Sequence, residues 1–334
     1  MSTLDEGPLV ARLRTGTEAL LSPTTEADRE RRRIAALALP FVALAVFGAV
    51  VPLVVMFRIS VAEEYLTATA GVQFDAWVTL LASILAFVPG VGPAVDADPV
   101  YGEVIWNSLW FGAVTTVASV ALGVVIAHAL EKYDLPGEGL LVTLISFPIS
   151  LPGIVAAFMM IVWFGKTGLL TNVFVWLGGE ASLFPVVAPN EVKLTGRPSG
   201  TTIAVFGLFL GYLYSMVPRA TFLLRGTYAE VNTDAEAAAR ALGATSWQTF
   251  RYVTLPQIRP GIVGAVILTF RTALAIFGTV LVLKALSVVT FRFDQILKVG
   301  YDLPMASALA GLFFFFTVGF TFLSLRFTSA EVTG

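Results

Sequence analysis

Few residues in this chain could do covalent or metal chemistry. There is no cysteine and a single histidine, His128, which excludes disulfides, thiolate metal sites and any histidine-based triad or metal centre. Gly165-Lys166-Thr167 has the look of a phosphate-binding loop, but that loop needs a glycine where Met160 stands. No other phosphate loop is present, so no nucleotide or other cofactor is expected on this chain, and any ATP it depends on must be hydrolysed elsewhere. What remains is polar chemistry inside apolar sequence. Arg271 stands ten residues after Gly261, roughly 15 Å along a helix at about 1.5 Å per residue. A cation at such depth is costly and should face the bundle interior, lining a path or bonded to neighbouring carbonyls. Tyr212, Tyr214 and Ser215, with Asn107, Thr115 and Thr116, are the other polar candidates for a translocation path. Each such residue more often just satisfies an adjacent helix.

These residues must be held by membrane helices. Of 334 residues, 57% are hydrophobic and 13% charged, and the mean hydropathy is +0.83, far from soluble averages. The net charge of −2 points to no nucleic-acid partner. A bilayer crossing takes about 20 apolar residues. Runs of that length lie at 34–57, 104–130, 140–164, 202–224, 261–283 and 305–327. The apolar run 77–92 is shorter and ends in Pro89, Gly90, Gly92 and Pro93, so it is expected as a helix in the first external loop. Residues 1–33 form a polar tail with an amphipathic piece around 9–21. It ends in the basic cluster Arg29, Arg31, Arg32 and Arg33, which should stay in the cytoplasm, and no cleavable signal peptide is visible.

Six crossings then put both termini inside. The inner side would hold Arg12, Arg14, the basic cluster, Lys132, Arg225, Arg240, Arg251, Arg259 and Arg326. The outer side would hold Arg58, Lys166, Lys193, Arg197, Lys284, Arg292 and Lys298, a bias in the expected direction. Pro148 and Pro152, in SFPISLPG, should kink or break the third span, and broken spans often line a path because freed carbonyls find partners there. Gly207 and Gly211 have the small-xxx-small spacing of close helix packing. GKTGLLTNVFVWLGG reads as a short helix on the external surface.

One stretch does not look like membrane: Thr233 to Gly261, TDAEAAARALGATSWQTFRYVTLPQIRPG. Thr233 and Glu236 have capping-box spacing for an alanine-rich helix, and Gly243 suits its left-handed close. Thr245 and Gln248 repeat the spacing and open a second helix, with Trp247, Phe250 and Val253 on its apolar face. Leu255, preceding Pro256, should end that helix near Thr254, and Pro260 should open the next span. Two short helices presented between spans make a docking element for another protein's groove.

This stretch resembles the cytoplasmic signature loop of the integral membrane subunits of binding-protein-dependent ABC importers. The family pattern runs Glu-Ala-Ala, three residues, Gly, nine residues, an aliphatic residue, one residue, then Leu-Pro. Gly243, Val253, Leu255 and Pro256 fall on it, and Ala238 and Ala239 take the alanine positions. The family's glutamate aligns with Ala237. Glu236 sits one residue early, which leaves it as a helix cap. NSLWFGA, FPISLPG and YDLPMASALA carry the likeness on from Tyr101 to Phe327, while the amino-terminal third matches no such pattern. The resemblance implies that Glu236, Ala238, Ala239, Gly243, Trp247, Phe250, Val253, Leu255 and Pro256 couple the chain to a cytoplasmic ABC ATPase. It also implies an extracellular solute-binding protein and a second permease subunit as partners.

The expected architecture is an all-α, polytopic membrane bundle of about six transmembrane helices with a cytoplasmic coupling helix pair. It divides into a cytoplasmic tail (1–33), a first span (34–57), an extended external loop (58–103), a permease core (104–328) with the coupling loop at 225–260, and a short carboxyl tail (329–334). The expected function is import of a small solute across a prokaryotic cytoplasmic membrane, with ATP used by the partner. Arg271, Tyr212, Tyr214, Asn107, Pro148 and Pro152 are the candidates for its path. An ion-coupled transporter or channel is the rival, but such proteins usually carry intramembrane acids, and the six runs contain no Asp or Glu. No metal or nucleophile constellation supports a membrane-embedded enzyme. Members of the family that import oxyanions typically show a glutamate before Phe-Gly in the fifth span. Here Ile276 precedes Phe277-Gly278, which moves the expected solute toward polyamine, iron, thiamine or phosphonate.

Overall fold

The structure, a computed structural model, describes residues 26–62, 71–90, 92, 96–164, 168–178 and 202–332. The amphipathic piece at 9–21, Arg12, Arg14, Gly165-Lys166-Thr167, Lys193 and Arg197 lie outside them. The described chain is built of helices. Four of these, Arg32–Ser60, Val100–Lys132, Ser246–Ala275 and Leu303–Ser324, are long and apolar enough to cross a membrane.

The first crossing is made of α1 (Glu26–Ala45), a π turn (Val46–Val50) and α2 (Val51–Ser60). After α3 (Asp75–Phe87) comes the long α4 (Val100–Lys132), followed by α5 (Glu138–Ser150), α6 (Gly153–Phe164) and the short α7 (Leu169–Trp176). Then α8 (Thr202–Tyr228) leads to the polar pair α9 (Thr233–Ala241) and α10 (Ser246–Thr249). A π turn (Phe250–Thr254) joins α10 to α11 (Leu255–Ala275). The chain ends with α12 (Gly278–Leu283), α13 (Val289–Gln295) and α14 (Leu303–Val332).

Five of the six expected spans overlap one helix or one broken helix pair within a few residues at each end. The third is broken, as its prolines suggest: α5 and α6 meet at 109° across Leu151 and Pro152. Pro148 is inside α5, so Pro152 is the proline that ends regular structure. α8, of 27 residues, covers the expected fourth run. The run 77–92 is helical only over α3, whose 13 residues are too few to span.

The fifth span departs from expectation. Residues 261–283 are not one helix: α11 stops at Ala275, and α12 starts after a break at Ile276 and Phe277. At the other end, Leu255 has helical backbone (φ −58, ψ −43), so the second loop helix does not stop at Thr254 but runs on into the membrane. Pro256 lacks an N–H, and its ring would press on a carbonyl four residues back. The π turn immediately before it, where Leu255 N–H reaches Phe250 O, widens the helix and removes that conflict. The same device precedes Pro52, where Val51 N–H reaches Val46 O. Pro260 consequently sits inside α11 rather than opening a span.

The bundle is organised on the crossing of α4 with α8, against which α11 also packs. Small residues make the approach possible: a Cβ on Gly123 would lie 2.9 Å from the Ala220 methyl. Apolar burial does not drive helices together inside lipid, so such close fits and interhelical hydrogen bonds must. Phe111, Leu208, Tyr212, Met216, Val280 and Leu283 form one core. Val120, Ala127, Ala220, Leu224 and Ile258 form another toward the loop end. A third, with Leu80, Val104, Met305 and Leu309, fastens α3 between α4 and α14. Gly211 lies 3.0 Å, measured from an added Cβ, from the Thr279 methyl, so that part of the small-xxx-small pair serves packing.

Candidate functional site

The polar loop is held by local chemistry at both helices. The cap of α9 is Asn232, one residue before the expected Thr233: its side chain accepts from the amides of Asp234 and Ala235 at 3.0 and 3.1 Å. Thr233 is already helical, which releases Glu236 from capping. At the far end Gly243 takes φ 88. There the amides of Gly243 and Ala244 return to the carbonyls of Arg240 and Ala239, the left-handed close expected of that glycine. The second helix has the capping box that Thr245 and Gln248 imply.

Glu236, freed from its cap, turns inward and is 3% exposed. Lys132 Nζ, at the last residue of α4, donates to its Oε2 at 2.7 Å, and the Thr254 hydroxyl donates to its Oε1. Arg240 stands 3.7 Å away on the solvent side. Burial alone would raise the Glu236 carboxyl, but the hydrogen bonds from Lys132 and Thr254 and the charges of Lys132 and Arg240 outweigh it. The group is held below its ordinary 4.5.

The neighbouring helix ends are tied at this same level. Arg225 of α8 donates to Glu131 of α4 and, at 3.4 Å, to Glu138 of α5. His128 lies 3.3 Å from the Tyr228 hydroxyl and packs edgewise on Phe250, with centroids 4.7 Å apart. Among the described residues no group of three or more His, Cys, Asp or Glu side chains is placed to hold a metal ion.

The outer face of the loop is apolar and uncovered. Leu242 is 90% exposed, Tyr252 75% and Trp247 69%, and Ala238 and Pro256 are also exposed. Ala239, Phe250, Val253 and Leu255 are half-buried and form the underside. Sequence reasoning passed over Leu242 and Tyr252. The signal for Leu242 was its place at the end of α9, just before the glycine, where no further turn can cover it.

The path candidates do not converge. Arg271 is exposed on the outside of the chain rather than facing its interior. The reason is register: its neighbours Thr269, Ala273 and Leu274 take the buried face of α11. Tyr212 is 2% exposed, packs on the Phe111 ring and points its hydroxyl at Ile276 O, 3.5 Å away. Asn107 is engaged with Ser287 O at 3.2 Å and Trp110 Nε1 at 3.1 Å. Tyr214 and Pro148 are half-buried, and Pro152 is exposed at the break.

The two helix breaks, in contrast, do meet. Thr279 donates its hydroxyl to Gly153 O at 3.2 Å, which ties the two breaks together, and Thr290 donates to Ile276 O at 3.3 Å, which engages the carbonyl left free after α11. A cavity of about 370 Å³ lined by Phe277, Thr290, Phe293 and Asp294 opens beside them.

A helical bundle with a broken third span and a capped polar loop clamped to one end is the architecture of a multi-pass membrane subunit. The chain belongs to the family of binding-protein-dependent transport system inner membrane components, whose pattern matches residues 119–329. It is 32% identical over 182 residues to the sulfate transport system permease protein CysW of Synechococcus elongatus, covering 54% of this chain and 57% of that protein. It is 27% identical over 220 residues to CysW of Escherichia coli, covering 64% and 69%. With a molybdenum ABC transporter permease protein designated probable in Haloferax volcanii it shares 29% over 207 residues, 61% and 68% of the two chains. The match thus spans less than two thirds of the Synechococcus protein. The fold also resembles a chain in the crystal structure of a bacterial alginate ABC transporter in complex with its pentasaccharide-bound periplasmic protein. There the TM-score is 0.69 at 15% identity, over 91% of this chain and 96% of that one. That likeness takes in much of the amino-terminal third, which the family pattern leaves out.

Proposed function

We propose that this chain is the permease subunit of an ABC importer in a prokaryotic cytoplasmic membrane. An external binding protein delivers a small solute, and ATP hydrolysis on a separate subunit drives alternating access. The supporting observation is the loop itself: its underside is locked to the ends of α4 and α11 through Glu236, and its outer face offers Ala238, Leu242, Trp247 and Tyr252. A docked ATPase that shifts this face moves the attached spans as a rigid body. The amino terminus and the loop lie on the cytoplasmic side. In support, Lys132, Arg225 and Arg240 gather at the loop end, and cations concentrate inside. ATP belongs to the partner. A second permease subunit completes the pore, and it would cover apolar surface this chain leaves open, such as Leu37 and Phe41 on α1.

For the solute, two indications differ. The relatives are named for sulfate and molybdenum, whereas Ile276 stands where oxyanion importers typically carry glutamate. Ile276 has no carboxylate, and its carbonyl is already engaged by Thr290. Uptake measured with sulfate, molybdate, spermidine, ferric iron, thiamine and a phosphonate separates the two groups. The class itself is tested by copurification. An ATPase retained by the full chain and lost on deleting Ala235 to Arg251 supports the reading, and labelling of a cysteine introduced at Trp247 from outside intact cells overturns it.

A further inference from the structure

Glu236 occupies the part of the loop where a carboxylate would be expected to meet the docked partner, yet it faces the other way. At 3% exposure it is out of reach of any protein seated on Ala238 and Leu242, which project from the outer face of the same helix. Both its oxygens are engaged from within: Oε2 by Lys132 and Oε1 by the Thr254 hydroxyl. Lys132 ends α4, and Thr254 lies in the π turn through which α10 becomes α11. One carboxylate therefore joins three segments separated by 104 and 18 positions in the chain.

The mechanical consequence follows from connectivity. A push on Trp247 reaches α11 without help, because the two lie on one continuous helical segment from Ser246 to Ala275. It reaches α8 through the short turn that precedes the Asn232 cap. It has no short covalent route to α4, whose carboxyl end is followed by the whole α5 to α7 excursion. Yet α4 is the helix on which the bundle is organised, and it packs on both α8 and α11. A charged bond of 2.7 Å at low exposure resists sliding in a way that apolar contact alone does not.

We propose that Glu236 is a positioning residue that couples α4 to the docking loop, so that α4, α8 and α11 move as one unit when the loop is displaced. This deepens the importer reading and rests on it. It assigns the carboxylate an internal transmission role in place of a contact with the ATPase.

The experiment uses the complete transporter, purified with its ATPase and reconstituted in proteoliposomes with its binding protein. The variants are Glu236→Gln, Thr254→Val and the exchange Glu236→Lys with Lys132→Glu. Three quantities are read: ATPase retained, ATP hydrolysed, and solute taken up per ATP. Glu236→Gln is expected to keep its ATPase and hydrolyse ATP, while uptake per ATP falls at least about fivefold, the lower end of ordinary coupling effects. The charge exchange is expected to restore most of that loss, which a general packing role would not do. If Glu236→Gln does not assemble, Thr254→Val, which removes one of the two bonds and keeps the ion pair, is expected to show a smaller fall in the same ratio. Release of the ATPase by a folded Glu236→Gln variant overturns the proposal, because the carboxylate would then be a docking contact. Unchanged uptake per ATP in both single variants, or no recovery in a folded exchange variant, overturns it as well. Failure of the unaltered chain to retain any ATPase sinks the importer reading instead, and is seen before any variant is compared.

Discussion

Thr279 hydrogen-bonds the carbonyl of Gly153 at 3.2 Å, where the broken third span lies against the short helix that follows α11. The neighbouring backbones leave no room: a Cβ on Gly278 would sit 2.9 Å from the amide nitrogen of Ile154. The α6–α12 contact therefore depends on glycine where backbone approaches backbone.

Gly278→Ala should lower stability by about 1–3 kcal/mol through overpacking that no side-chain rotation relieves. Gly264→Ala is the matched control, since a Cβ there meets nothing within 4 Å inside α11. It should raise stability by about 0.5–1 kcal/mol, the helix preference of alanine over glycine. Thermal unfolding of the detergent-purified variants reads both signs, and equal shifts would disprove the close contact.

Glu236→Ala leaves Lys132 with its charge and without its partner at a largely buried site. A loss of about 3 kcal/mol is expected, against less than about 0.5 kcal/mol for Arg240→Ala, whose side chain is mostly exposed.

The same carboxylate should give the stability a pH dependence. Its folded value lies below the ordinary 4.5, so the folded chain binds this proton less readily than the unfolded one. The contribution is complete above 4.5 and is lost as the pH falls through the lowered folded value. Melting temperatures of the unaltered chain and Glu236→Gln should differ most near neutral pH and converge in acid. A gap that widens on acidification would contradict the assigned partners.

On the outer face of the loop, Leu242→Ser and Trp247→Ala should each change stability by less than about 0.5 kcal/mol, because neither side chain is covered. Both should weaken retention of the ATPase at least about tenfold, as loss of an apolar anchor does at an interface. Sedimentation of the complex in detergent measures retention.

Arg271 is exposed on the face of α11 turned away from the bundle core. A charge there needs water or another polypeptide beside it. Arg271→Leu should leave unfolding unchanged and reduce uptake at least about tenfold while the ATPase stays bound. Unchanged uptake removes Arg271 from the path.

Apolar length alone located five of the six expected crossings, because about 20 such residues have no cheaper place than lipid. The close of α9 at Gly243, the capping box of Thr245 with Gln248, and the break near Pro152 were also legible, since each depends on atoms within one or two turns of chain. The cap of α9 was misplaced by one residue because Asn232 and Thr233 are both good caps and compete for the same amides. The break at Ile276 and Phe277 was missed, as no proline marks it. The expected stop before Pro256 failed because a π turn offers another answer to a missing donor.

Composition and local pattern by themselves determined that this chain is a helical membrane protein with a structured polar loop, because bilayer thickness and capping bonds act on neighbours in sequence. Only the tertiary structure decided that Glu236 belongs to Lys132, that Arg271 faces outward, and that Gly153 meets Thr279. Those outcomes depend on how separate helices cross, and a crossing is set by side-chain fit between segments up to 126 positions apart, which no window of sequence contains.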